Sequence, residues 1–84
     1  MYNIFVGVYY MANAAFLRKF AQDEMWDILY FASGEVPIKQ KSIDFVTLKT
    51  TPFTTKIFSP RKILVNDRKF SSIYHAKLFI QQNL

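Results

Sequence analysis

The chain opens on a two-residue alternation. Tyr2, Ile4, Val6, Val8 and Tyr10 fall on one side, and Asn3, Phe5, Gly7 and Tyr9 on the other. That period predicts a strand over Tyr2–Tyr10. Rings on both sides suit a strand covered on both faces. The period then changes. Between Ala12 and Ala32, Phe16, Leu17, Phe20, Ala21, Met25, Ile28, Leu29 and Phe31 or Ala32 recur at helical spacing. Arg18, Lys19, Gln22, Asp23 and Asp27 are expected on the opposite, polar side. Asn13 is placed to cap, and Asp23-Glu24 is placed to start a second helix, so one helix or two fits the pattern. Ser33-Gly34 supplies a glycine stop, and Val36 before Pro37 is expected to be extended.

The second half reads as strands. Ile38–Thr50 is one extended stretch, richest in β-formers over Ser42–Lys49. Thr50-Thr51-Pro52 marks a turn, and Phe53–Phe58 is a further strand. Ser59-Pro60 interrupts before Lys62–Val65, which makes these two segments either two strands or one edge strand with a bulge. Asn66-Asp67 are turn residues that tolerate positive φ. Arg68-Lys69-Phe70 is the return strand, and Ser71-Ser72 offers a hydroxyl to cap a closing helix through Asn83. In that helix Ile73, Ala76, Lys77 and Ile80 share a face, widened by Tyr74, Leu78 and Phe79. The order is strand, long helix, three or four mainly antiparallel strands, helix. Strands clustered between helices predict an α+β fold, with one domain over residues 1–84.

Composition sharpens this. A chain of 84 residues is 51% hydrophobic and contains nine Phe, five Tyr and one Trp. A domain of this size buries only about 60% of its extended surface, so some rings are expected at a surface that meets another molecule. No cysteine is present, which removes disulfide and thiolate chemistry and suits a reducing, cytoplasmic compartment. The apolar run from Ile4 to Leu17 has no preceding Lys or Arg, unlike a secretory signal. At about 14 residues it is shorter than the ~20 needed to span a bilayer. It is expected to be core, with no membrane contact.

The charge is uneven. Residues 1–35 carry two cations against four carboxylates, and residues 36–84 carry nine against two, giving the net +5 of the chain. Arg61-Lys62 and Arg68-Lys69 flank one hairpin and are expected within reach of each other. With Lys49 and Lys56 they are candidate phosphate contacts. Phe53, Phe58, Phe70 and Tyr74 interleave with them in sequence, in a pattern that suits stacking on unpaired bases. Hairpin-end lysines also serve simply to discourage sheet-to-sheet aggregation.

Enzymatic chemistry has no foothold in the sequence. His75 is the single imidazole and has no sequence-adjacent partner for acid–base work. Gly7 and Gly34 stand alone, so there is no phosphate-cradling loop. Asp23, Glu24 and Asp27 are read as a solvated face or a patch for a basic partner rather than a metal site. No catalytic residue, metal, cofactor or small-molecule substrate is expected. Two functional readings remain. The first is a small non-enzymatic protein whose basic half contacts nucleic acid. The second is an interaction or inhibitor protein, of the kind phages and mobile elements encode. It would dock on a host protein, or on a second copy of itself as a homodimer, through Phe58, Tyr74, Asp23, Glu24 and Asp27.

Overall fold

The computed structural model describes residues 13–84. Within them, helix α1 (Asn13–Ser33) is followed by strands β1 (Ile38–Lys41), β2 (Val46–Lys49), β3 (Thr54–Ser59), β4 (Lys62–Val65) and β5 (Arg68–Phe70), and then by helix α2 (Ile73–Gln82). The strands form one antiparallel sheet in sequence order, β1-β2-β3-β4-β5. The fold is α+β, as the pattern of elements predicts. The strand expected over Tyr2–Tyr10 lies outside the described residues.

The sheet has five strands where three or four were expected. The stretch Ile38–Thr50 is two strands rather than one. Ser42 N–H donates to the Phe45 carbonyl at 2.9 Å and turns the chain back on itself. Ser42 and Asp44 are ordinary turn residues. Ile43 and Phe45, which look like strand residues, conceal the turn in the sequence. The register then pairs Ile38 with Lys49 and Lys41 with Val46.

α1 is a single unbroken helix from Asn13 to Ser33. It ends where the sequence says: Gly34 adopts φ +74° and donates its N–H to the Tyr30 carbonyl at 2.8 Å. A glycine takes that left-handed conformation without steric cost. Two residues expected on the polar side of α1 lie elsewhere. Gln22 is buried, and Arg18 is half-buried against the sheet end. α2 begins as predicted, with Ser72 Oγ accepting from the His75 N–H at 3.1 Å.

Burial is heaviest on the helix side because strand side chains alternate, and Thr47 of β2 is buried on the other face as well. Val46 and Leu48 of β2, Thr55 and Ile57 of β3, and Ile63 and Val65 of β4 all point to the helices, and the registers place them opposite one another. α1 packs against β3 and against α2, and α2 packs on β4 and β5. Ala21, Met25, Ile28 and Leu29 of α1 and Ala76 and Ile80 of α2 complete the core. Phe53, from the β2–β3 turn, is buried there as well. The Lys77–Glu24 ion pair, 3.7 Å, joins the two helices at the surface.

The turns are tied to one another. Asn66 takes positive φ (50°), and Asp67 follows at 67°. Asn66 Oδ1 accepts from the Thr54 N–H at 2.9 Å, its Nδ2 donates to the Pro52 carbonyl at 3.3 Å, and its N–H donates to the Thr54 carbonyl at 2.9 Å. One turn residue thus holds the β2–β3 turn against the β4–β5 turn.

Thr55 breaks the apolar pattern of the core. It is fully buried, and its Oγ1 has no hydrogen-bond partner among the described residues. A buried hydroxyl without a partner is unfavourable, while valine has nearly the same shape. Thr55→Val is therefore expected to raise the unfolding free energy by about 1 kcal/mol, read from urea denaturation. A loss of stability would show that the hydroxyl is satisfied.

Candidate functional site

The face of the sheet turned away from the helices carries the other half of the alternation. Gln40 of β1, Thr47 and Lys49 of β2, Thr54 and Lys56 of β3, Leu64 of β4 and Lys69 of β5 share it, as the registers require. No described helix packs on this face. Lys49, Lys62 and Lys69 are exposed and Lys56 is half-buried. None of these lysines forms an ion pair with a described residue; the pairs present are Lys19–Asp23 and Lys77–Glu24. Asp67 brings a carboxylate to its margin, where it lines a depression with Thr54, Lys56, Leu64 and Asn66.

A bulge adds rings to this face. The β3–β4 register shifts between Ile57 and Ser59, so that Ile57 pairs with Ile63 while Ser59 pairs with Lys62. The extra residue is Phe58. Bulges re-aim a side chain at the end of a ladder. Here the Phe58 ring meets the Phe45 ring with centroids 4.9 Å apart and planes tilted by 37°. Lys62 Nζ sits 4.7 Å from the Phe58 centroid, and Lys56 Nζ sits 5.8 Å from the Phe45 centroid. Both are cation–π distances. The result is a half-exposed pair of rings bordered by ammonium groups.

The residues singled out in the sequence do not all converge here. Lys49, Lys56, Lys62, Lys69 and Phe58 do. Arg68 does not: it pairs with Val65, points to the helix side, and lies with its guanidinium carbon 5.3 Å from the Phe79 centroid. The expected cluster of Arg61, Lys62, Arg68 and Lys69 is thus divided by the strand period, which sends neighbours to opposite faces. Arg61 lies exposed in the β3–β4 turn, its N–H donating to Ser59 Oγ. Of the four rings expected to interleave with these cations, Phe53 is core, and Phe70 packs against the core and Phe79 on the helix side. Tyr74 is exposed on α2, edge-on to His75 at 5.5 Å.

Phe45 is the site residue that the sequence reading missed. Its signal is the alternation itself: with Val46 and Leu48 inward, Phe45, Thr47 and Lys49 must face outward. The acidic trio is also divided. Asp23 and Asp27 lie exposed four residues apart on α1, with Asp23 paired to Lys19, whereas Glu24 turns to Lys77. Among the described residues, no three His, Asp or Glu side chains are grouped to hold a metal ion. No described helix is long and apolar enough to cross a membrane.

Set against protein-family models, curated proteins and solved structures, the chain matches none of them.

The Phe58–Lys62 contact is measurable by itself. A double-mutant cycle of Phe58→Ala and Lys62→Ala is expected to give a favourable coupling of about 0.5–1 kcal/mol in unfolding experiments. Zero coupling would mean that the ammonium is fully hydrated and only passes near the ring.

Proposed function

We propose that the protein binds single-stranded nucleic acid on the open face of its sheet. The observation that carries this reading is the Phe45–Phe58 ring pair bordered by Lys56 and Lys62 on a face that also bears Lys49 and Lys69. Ammonium groups without carboxylate partners are free to neutralise phosphates and release counterions. Rings beside them offer a surface on which a base of any identity stacks. A sheet face bearing rings and lysines suits an unpaired strand better than a duplex groove, which takes a protruding helix or ribbon.

A second reading rests on α1. Phe20 and Phe31 are exposed on its outward side, Phe31 at 83%, beside Asp23 and Asp27. Such a mixed aromatic and acidic face fits a basic protein partner, in keeping with an interaction or inhibitor role.

Fluorescence polarisation with labelled single- and double-stranded oligonucleotides across a salt series separates the two. The first reading expects tighter binding to the single strand, with log K falling linearly in log salt at a slope near −0.7 for each phosphate neutralised. Phe45→Ala with Phe58→Ala is expected to weaken binding by about 1–3 kcal/mol for each base unstacked. Single alanine substitutions of Lys49, Lys56, Lys62 and Lys69 are expected to reduce the slope by roughly the share of one phosphate each, while Arg68→Ala leaves it unchanged. Absence of binding at low salt would discard the nucleic-acid reading.

A further inference from the structure

A second basic cluster lies on the helix side of the sheet. The first half of α1 faces the β1–β2 hairpin there, and a cleft between them is lined by Ala15, Arg18, Lys19, Gln22, Lys41 and Ser42 above Val46. Three of these are cations, and no carboxylate lines the cleft. Asp23, the nearest one on α1, is held by Lys19 at 3.2 Å.

Lys41 reaches the cleft because of the register. It pairs with Val46, whose side chain is core, so Lys41 stands on the helix side of an edge strand. Lysines at edges serve to block further strand pairing, and that role alone explains Lys41. It does not explain Gln22. The Gln22 side chain is 7% exposed and lines this cleft, yet its amide has no hydrogen-bond partner among the described residues. A polar side chain this confined that reaches the cleft without a protein partner leaves donor and acceptor capacity unused. A ligand or water completes such a set. Arg18 adds a further donor. Its Nε donates to the Phe58 carbonyl at 3.3 Å and its Nη1 to the Ile43 carbonyl at 3.5 Å, which fixes the guanidinium in place. A guanidinium carries five N–H groups, so others remain available.

We propose that this cleft binds a phosphate group. Lys41 and Arg18 supply charge, and the Gln22 NH2 and Ser42 hydroxyl supply neutral donors. A tetrahedral oxyanion accepts several donors at once, and charge-assisted bonds are the strong ones. The phosphate is either free inorganic phosphate or a phosphodiester of a nucleic-acid strand. The cleft is lined by other residues than the open sheet face, the Arg18–Phe58 hydrogen bond lies between the two, and phosphate binding here does not require nucleic acid on that face.

The test is NMR on the full chain, isotopically labelled, with inorganic phosphate titrated at constant ionic strength against chloride. Saturable shifts are expected at the Gln22 side-chain amide and the Ser42 backbone amide. Gln22→Leu, which keeps the buried volume, and Lys41→Gln, at an exposed position, are each expected to weaken phosphate binding roughly tenfold. Arg18 is left intact because its two carbonyl bonds hold the fold. A single-stranded oligonucleotide added to the phosphate complex then identifies the source: displacement supports the phosphodiester, and retention supports free phosphate. No saturable shift in the wild-type protein, or unchanged affinity in both variants, overturns the proposal.

Discussion

The packing of one face of the sheet against the helices is the constraint from which the rest follows. Val46, Leu48, Ile57, Ile63 and Val65 pack beneath Met25 and Leu29 of α1 and Ile80 of α2, all almost wholly removed from water. Since strand side chains alternate, committing these positions to the helices commits their neighbours to the opposite face. Lys49, Lys56, Leu64 and Lys69 are where they are because the core took the residues beside them. The basic face is therefore a geometric consequence of the hydrophobic one, and a slip of one residue in register would bury the lysines and expose the core.

The same constraint explains what was legible in the sequence. α1 was readable because Met25, Ile28 and Leu29 repeat at helical spacing, and its end was readable because only the Ser33-Gly34 step offers a left-handed stop. The β4–β5 hairpin and α2 were readable for a similar reason: Asn66-Asp67 and Ser72 are local signals, and local chemistry decides turns and caps. The β1–β2 turn was not readable. Ser-Ile-Asp-Phe mixes turn formers with strand formers, and what settles the matter is the pairing of Lys41 with Val46, a contact between segments. The site was legible by composition but not by membership. Arg68 and Lys69 are adjacent in sequence and opposed in space, and proximity along a strand says nothing about sharing a face. Phe53 looked like a surface ring and is core, because the β2–β3 turn folds it under the helices. Gln22 carried no signal at all: a glutamine among helical charges reads as solvated until the packing of α1 shows otherwise.

Electrostatics divides the molecule along the same plane. On the helices the charges pair: Lys19 with Asp23, Lys77 with Glu24. Exposed pairs of this kind contribute little to stability, about 0–1 kcal/mol each. On the sheet they form no ion pair among the described residues, and Lys56 and Lys62 lean on rings instead. Unpaired like charges on one face repel and cost stability. The apolar stems of Lys56 and Lys62 lower that cost locally, since a long side chain can cover a ring while its ammonium group stays hydrated.

Phe58 is where the two sides of the molecule meet. Its ring belongs to the open face, against Phe45 and under Lys62, while its carbonyl accepts from Arg18, which reaches down from α1. This is possible only at a bulge, where one residue escapes the ladder and leaves its backbone oxygen free for a side chain. Arg18 in turn borders the cleft that holds Gln22 and Lys41. Occupation of the cleft would therefore act on the residue that fixes the Phe58 backbone, and a strand stacked on Phe58 would act on Arg18. The two surfaces share one hydrogen bond, so binding at either is expected to favour or oppose the other by whatever that bond gains or loses, and reciprocity requires the effect to be equal in both directions.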